Sequence, residues 1–274
     1  MNPFLREYYN QPVFWRDDYG SDEANLERVR VVAEALPQDV RSVLDVGCAN
    51  GKALLALVRR GSQETLDFVA GVDFSERALR KFDLPRVCGD CSSLPFADDS
   101  FDAAICLEVL EHLPQETFSR TLGELQRVTS RYLLISVPNA EDLRRSGVMC
   151  PKCFCWFNSS LHMRSFHEGT LYALFEPLFV LSAARLIGPL DRQYWLPLLL
   201  RELGRFLLEP APPAACICPQ CGYGRNKSIN LSTLEVPSES GNSNPTSSFL
   251  KNWVFRAWPK TAKRRWLLAL YERR

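Results

Sequence analysis

Short apolar runs recur along the chain at residues 42–46, 68–72, 86–88, 103–107 and 132–137, each separated by a longer segment with a polar face. Runs of this length, bounded by Gly, Asp and Pro, read as buried strands. Their alternation with helical segments is the βαβ rhythm of a parallel sheet. Residues 25–36 show the helical period: Leu26, Val29, Val32 and Ala33 fall on one face, and the pattern stops before Pro37. Residues 179–187 read as a sixth strand. The last apolar run, residues 265–271, has a strand's length, but its Leu and Ala content keeps a helix open.

A chain of 274 residues that is 46% hydrophobic can bury one sizeable core and carry an extra module. Its net charge is +1, from 33 basic and 32 acidic residues, so nothing global points to nucleic acid or an anionic membrane. No apolar stretch follows Met1. The most apolar later stretch, residues 195–208, is interrupted by Arg201, Glu202 and Arg205. Neither a signal peptide nor a membrane span is expected, and the protein reads as cytoplasmic.

The candidate chemistry begins where the first strand ends. Val43-Leu-Asp-Val-Gly-Cys-Ala-Asn-Gly51 closes a hydrophobic run with an acid and a glycine turn. Glycine has no Cβ, so such a turn lets a ligand approach the backbone. Asp73 ends the next strand, where an acid roughly 20 residues past such a loop takes ribose hydroxyls. The pair points to an adenosine-bearing cofactor.

The spacing Asp45-x-Gly47-x-Ala49-x-Gly51 resembles the first motif of the class I S-adenosylmethionine-dependent methyltransferases, type 11 in particular, rather than the dehydrogenase fingerprint. Gly89-Asp90-Cys91 with Leu94-Pro95-Phe96 is similar to that family's adenine segment. Ser100-Phe-Asp102 through Glu108 is similar to its fourth strand, and the run ending in Val137-Pro-Asn139 to its fifth. The resemblance covers about residues 25–190 plus the C-terminus, and departs from the family pattern at Ala49, where glycine is usual. It implies an α/β fold with a doubly wound, Rossmann-like, seven-stranded sheet whose last strand, residues 263–274, pairs antiparallel beside the fifth and sixth. It also implies S-adenosylmethionine as cofactor, held by Asp45, Gly47, Cys48, Ala49, Gly51, Asp73, Phe74, Asp90, Cys91 and Leu107. The methyl group of Ala49 is expected to crowd that cofactor slightly. The organisation expected is a lid segment at 1–24, a methyltransferase core at 25–187, an insertion at 188–262 and the final strand.

Of ten cysteines, six cluster outside the cofactor half. Cys150-Pro-Lys-Cys153 and Cys218-Pro-Gln-Cys221 are two knuckles, and two residues between thiolates let both sulfurs of a tight turn face one tetrahedral ion. A structural Zn²⁺ on these four is expected to hold the insertion against the region after strand five. Disulfides are the rival, disfavoured in a cytoplasmic setting. Cys155 and Cys216 are buried thiols or substitute ligands. Residues 225–248, rich in Ser, Asn and Pro, read as a linker, and residues 195–208 as a short amphipathic helix.

The reaction is expected beside Glu108-Val-Leu-Glu111-His112, because open α/β sheets bind ligands at the carboxyl ends of their strands. His112 is the residue type for proton removal, Glu108 can contact the cofactor, and Glu111 can assist or cap. The run also resembles the segment by which small-RNA 2′-O-methyltransferases and ubiquinone-pathway O-methyltransferases hold a divalent ion. In that reading Glu108, Glu111, His112 and His162 form a second, catalytic metal site. Aromatic residues Tyr8, Tyr9, Trp15 and Tyr19 suit a lid over a sulfonium cation. The basic residues Lys260, Lys263, Arg264, Arg265, Arg273 and Arg274 read as a charged sheet edge, with phosphate contact as the alternative.

No Asn-Pro-Pro-Tyr amide-binding motif occurs, which favours O-methylation of a small-molecule, sugar or lipid-linked acceptor. Two alternatives stand: an RNA methyltransferase, and a non-catalytic cofactor-fold protein whose zinc module binds a partner.

Overall fold

The computed structural model describes residues 3–15, 20–59, 66–81, 83–194, 216–224 and 260–274. The expected helix at 195–208, the expected linker at 225–248, and Arg16 and Tyr19 of the expected lid lie outside them.

Five strands run parallel: β1 (Ser42–Val46), β2 (Phe68–Asp73), β3 (Arg86–Cys88), β4 (Phe101–Leu107) and β5 (Thr129–Pro138). The sheet is completed by β8 (Phe179–Tyr194) and β9 (Lys260–Arg273), in the order β3-β2-β1-β4-β5-β9-β8, with β9 antiparallel to both neighbours. All seven runs read from the sequence are strands. The ambiguous last run is a strand because its alternate residues fill opposite faces: Trp266 and Leu268 go to one core, Leu267, Ala269 and Tyr271 to the other.

The same alternation builds both layers. Leu44, Val46, Ala104, Cys106, Leu133 and Ile135 face α5 (Gln115–Val128), while Val43, Ala103, Ile105 and Leu134 face α2 (Glu23–Ala35) and α3 (Lys52–Arg59). Burial of each such aliphatic side chain contributes roughly 1.5–3 kcal/mol. Helix α2 is capped by Asp22, whose carboxylate accepts from the Asn25 backbone N–H at 3.1 Å. Val32 and Ala33 are buried as expected, but Leu26 is 52% exposed, so the apolar face is narrower than its periodicity predicts.

Two expectations change. Strands β8 and β9 run past Gly188 and before Lys263, pairing as far as Tyr194 with Lys260, so the excursion leaves the sheet seven residues later than expected. Gly188, at φ +78°, sits at the irregularity that lets β8 continue, since a Cβ there would lie 2.3 Å from the Trp266 ring. The basic C-terminal run is also not a sheet edge: β9 is internal, and β8 is the edge. Four of its cations are engaged within the chain, Arg264 by Gly188 O at 2.7 Å, Arg265 by Asp191 at 2.9 Å, Lys263 by Ala140 O and Arg273 by Asp99.

A hairpin not anticipated from sequence, β6 (Gly147–Met149) with β7 (Trp156–Asn158), carries the first cysteine knuckle at its turn. Among the described residues, no helix is long and apolar enough to cross a membrane.

Candidate active site and metal centres

The turn after β1 is tied to the end of β2 by backbone bonds, Gly47 N–H and Cys48 N–H both donating to Val72 O at 2.7 and 3.1 Å. Gly47 adopts φ +82°, and a Cβ there would lie 2.3 Å from Val109 Cγ2, so no other residue fits this position. Ala49 takes a left-handed φ of 51°, unfavourable for a residue with a Cβ, and Gly51 closes the turn by donating to Cys48 O at 2.8 Å. Asp73 accepts from the backbone N–H of Ala49 at 2.9 Å and of Ser75 at 2.7 Å, which fixes its carboxylate beside the turn. Burial nevertheless holds that carboxyl above the ordinary range.

A cavity of about 290 Å³ lies along this turn. Of the residues expected to hold a cofactor, Asp45, Gly47, Cys48, Ala49, Asp73, Phe74, Cys91 and Leu107 line it. Gly51 and Asp90 are not among the lining residues, and Asp90 Oδ1 accepts from Ser92 N–H and Oγ at 2.9 and 2.7 Å. Asp45 is 1% exposed, and its Oδ1 has no hydrogen-bond partner. Burial, and then the charge of Asp73, pushes its pKa up to about 8. An unsatisfied carboxyl oxygen at the mouth of a glycine turn fits the ammonium group of an amino-acid cofactor, so the residues present suit S-adenosylmethionine.

Arg28 and Asn25 of α2 also line the cavity and were not foreseen from the sequence. Arg28 lies 3.7 Å from Glu108 Oε1 and 4.9 Å from the Trp266 ring centroid, and its Nε is buried without a partner. Arg28, directly before Val29 of the apolar stripe, was the available signal.

His112, which also lines the cavity, belongs to a second group. A short 3-10 turn, Leu110–His112, follows β4 and places Glu111 and His112. With His162, their ligand atoms all lie within 4.8 Å of one another. Glu111 is fully buried, neither of its oxygens has a hydrogen-bond partner, and burial raises its pKa well above the usual carboxylate value, reinforced by the charge of Glu108. Burial lowers His112 to about 3, keeping its ring neutral. His112 Nδ1 lies 2.8 Å from the Tyr9 hydroxyl, and His162 Nδ1 pairs with Glu141, a partner not anticipated. Glu108 stands apart from the trio. It takes a left-handed φ of 56°, and its Oε1 accepts from Ser136 Oγ at 2.8 Å.

Of the aromatic residues expected in a lid, Tyr9 and Trp15 line the cavity. Tyr9 of α1 (Pro3–Tyr9) packs edge-on against Phe74, ring centroids 5.8 Å apart, and its carbonyl accepts from the Trp15 indole.

The two cysteine knuckles meet far along the chain. Cys150 and Cys221 sulfurs are 3.6 Å apart, as are those of Cys153 and Cys218, and all ten cysteines are free thiols. A tetrahedral ion with metal–sulfur bonds of about 2.3 Å separates its sulfurs by about 3.8 Å, whereas a disulfide needs about 2.05 Å. The knuckles share one geometry: Phe154 N–H donates to Cys150 O and Gly222 N–H to Cys218 O, each at 2.9 Å, with positive φ at both donors. Cys155 lies 3.2 Å from Cys218 as a flanking fifth thiol, while Cys216 turns away to bond Ser159 O at 3.3 Å.

Residues 44–132 match the family model described as methyltransferase domain. Over 236 residues the chain is 24% identical to O-methyltransferase resE of Aspergillus sclerotiorum, covering 78% of this chain and 76% of that one. Over 103 residues it is 29% identical to the ubiquinone biosynthesis O-methyltransferase of Albidiferax ferrireducens, covering 34% of this chain and 39% of that protein's length. The structure of magnesium protoporphyrin IX methyltransferase from Synechocystis PCC 6803 with bound S-adenosylhomocysteine superposes with a TM-score of 0.50 at 19% identity, covering 69% of this chain and 93% of that one, a likeness of fold. Residues 44–132 thus carry a methyltransferase domain, on a fold shared with S-adenosylmethionine-dependent methyltransferases.

Proposed function

We propose that this methyltransferase transfers its methyl group to a hydroxyl oxygen of a small-molecule acceptor, held between the glycine turn and the Glu111–His112–His162 trio. The carrying observation is that trio: one carboxylate without any hydrogen-bond partner and two imidazoles converge where His112 lines the cavity. Oxygen and nitrogen donors of this kind suit Mg²⁺, Mn²⁺ or Zn²⁺. Such an ion, when bound, makes an acceptor hydroxyl more acidic. Asp45 orients the cofactor's amino-acid end, and Asp73 faces its ribose. Glu108, engaged by Ser136 and Arg28, serves as a positioning residue. Two relatives that carry O-methyltransferase in their names support oxygen as the accepting atom. The internal pairing of Lys263, Arg264, Arg265 and Arg273 draws these four cations away from phosphate and so favours a small acceptor over RNA. Cys150, Cys153, Cys218 and Cys221 hold a structural zinc.

The test is S-adenosylhomocysteine release from S-adenosylmethionine over a panel of phenols, quinols, sugars, amines and RNA, before and after chelation and re-addition of Mn²⁺. Glu111→Gln keeps the shape of the side chain and should lower turnover of a hydroxyl acceptor by about a hundredfold or more while leaving S-adenosylhomocysteine affinity unchanged. Transfer confined to amines, or full activity in this variant, would sink the reading.

A further inference from the structure

The zinc centre lies far in sequence from the cavity, yet one aliphatic side chain joins them. Ile217, beside Cys218, is 2% exposed and forms a separate apolar cluster with Tyr8 and Leu161, on which Tyr9 and Phe157 also pack. The flanking polar atoms converge on one carbonyl: Tyr8 Oη and Cys216 Sγ each donate to Ser159 O at 3.3 Å.

Each partner of Ile217 immediately precedes a residue of the site. Tyr8 precedes Tyr9, whose hydroxyl lies 2.8 Å from His112 Nδ1. Leu161 precedes His162, whose ring meets that of His112 with centroids 4.5 Å apart. Leu161 is held at φ 59°, a left-handed conformation that costs energy for a residue with a Cβ and persists only where the surroundings enforce it. Leu161 packs in one cluster with Ile217 and Tyr8, and its own N–H donates to Asn158 O at 2.8 Å.

We propose that the four-cysteine zinc centre is a positioning device for the acceptor half of the active site. Its metal fixes the knuckle 218–221, the knuckle seats Ile217, and Ile217 holds Leu161 and Tyr8 so that His162 and Tyr9 converge on His112. This rests on the structural zinc of the proposed function but not on the acceptor. Loss of the metal therefore disorders the acceptor end first and leaves the glycine turn, built on β1 and β2, in place.

The test is amide hydrogen exchange on the full chain, with metal counted by elemental analysis in the same samples. Stripping zinc with dipicolinate should raise exchange in segments 8–11 and 159–163 by about tenfold or more, while amides 43–46 of β1 stay protected. Ile217→Ala should keep one zinc per chain and reproduce the same loosening, which separates the wedge from the metal itself. A chain purified without zinc at the four thiols, unchanged exchange after stripping, or full protection in Ile217→Ala each overturns the proposal. S-adenosylhomocysteine titration of the wild type reports on the methyltransferase assignment separately: absent binding with the coupling intact would count against the cofactor site alone.

Discussion

Asp45 illustrates how much a single buried acid can determine. Because its folded pKa of about 8 lies above the unfolded value near 4, the folded chain holds a proton that the unfolded chain releases. The stability this residue supplies is present at low pH and is lost as pH rises from about 4 towards 8. Cofactor affinity should run the other way, since an ammonium ligand needs the carboxylate charged. We expect the Kd for S-adenosylhomocysteine to weaken by up to roughly tenfold for each pH unit below 8, and Asp45→Asn to bind weakly with no pH dependence, both read by calorimetry at pH 6, 7 and 8. A flat wild-type profile would remove Asp45 from the binding role. At the other positions of the turn, conformation is the issue. Ala49→Gly relieves a left-handed alanine and should raise stability by up to about 1 kcal/mol, whereas Gly47→Ala meets Val109 and should cost about 2 kcal/mol or more, both measured by thermal melting. Asp45, Gly47 and Asp73 were legible in the sequence because the turn's chemistry is local. Asp90 does not line the cavity, and its Oδ1 accepts from Ser92 two residues on.

At the scale of elements, β9 shows where sequence pattern suffices and where it stops. Period-two alternation distinguishes strand from helix only once both faces are known to be buried, which depends on the partners β5 and β8. Tyr271 anchors the strand: it is fully buried, stacks edge-on with Phe175 at 4.9 Å, and donates to Leu171 O at 2.8 Å. Tyr271→Phe should cost about 1 kcal/mol, because Leu171 O keeps a second donor in Leu174 N–H. Tyr271→Ala should cost about 3–5 kcal/mol through the cavity it leaves. Denaturant titration distinguishes the two; equal losses would mean that the hydroxyl, not the ring, does the anchoring. The hairpin of β6 and β7 escaped the sequence reading because its three-residue strands are too short to show a period. His162 was expected near His112 from the family pattern, while the separation of Glu108 from the trio follows from its contacts with Ser136 and Arg28, which no spacing within a single helix or strand encodes.

For the molecule as a whole, a net charge of +1 predicts a reaction on a small acceptor little affected by ionic strength. Between 50 and 200 mM salt, kcat/KM should change by less than about twofold, whereas a phosphate-rich acceptor would lose affinity steeply over the same range. Kinetics at four salt concentrations decide it. The pairing of Tyr194 with Lys260 carries a further consequence. Strands β8 and β9 are antiparallel neighbours, and the second thiol pair lies between them in sequence. Joining them through so long a connection rather than a tight turn costs only about 2–3 kcal/mol of chain entropy. The sheet is therefore indifferent to the length and content of what hangs there, and this point is a natural port for grafting: a two-residue turn in its place should give a minimal enzyme that folds, binds cofactor and lacks its acceptor-end brace.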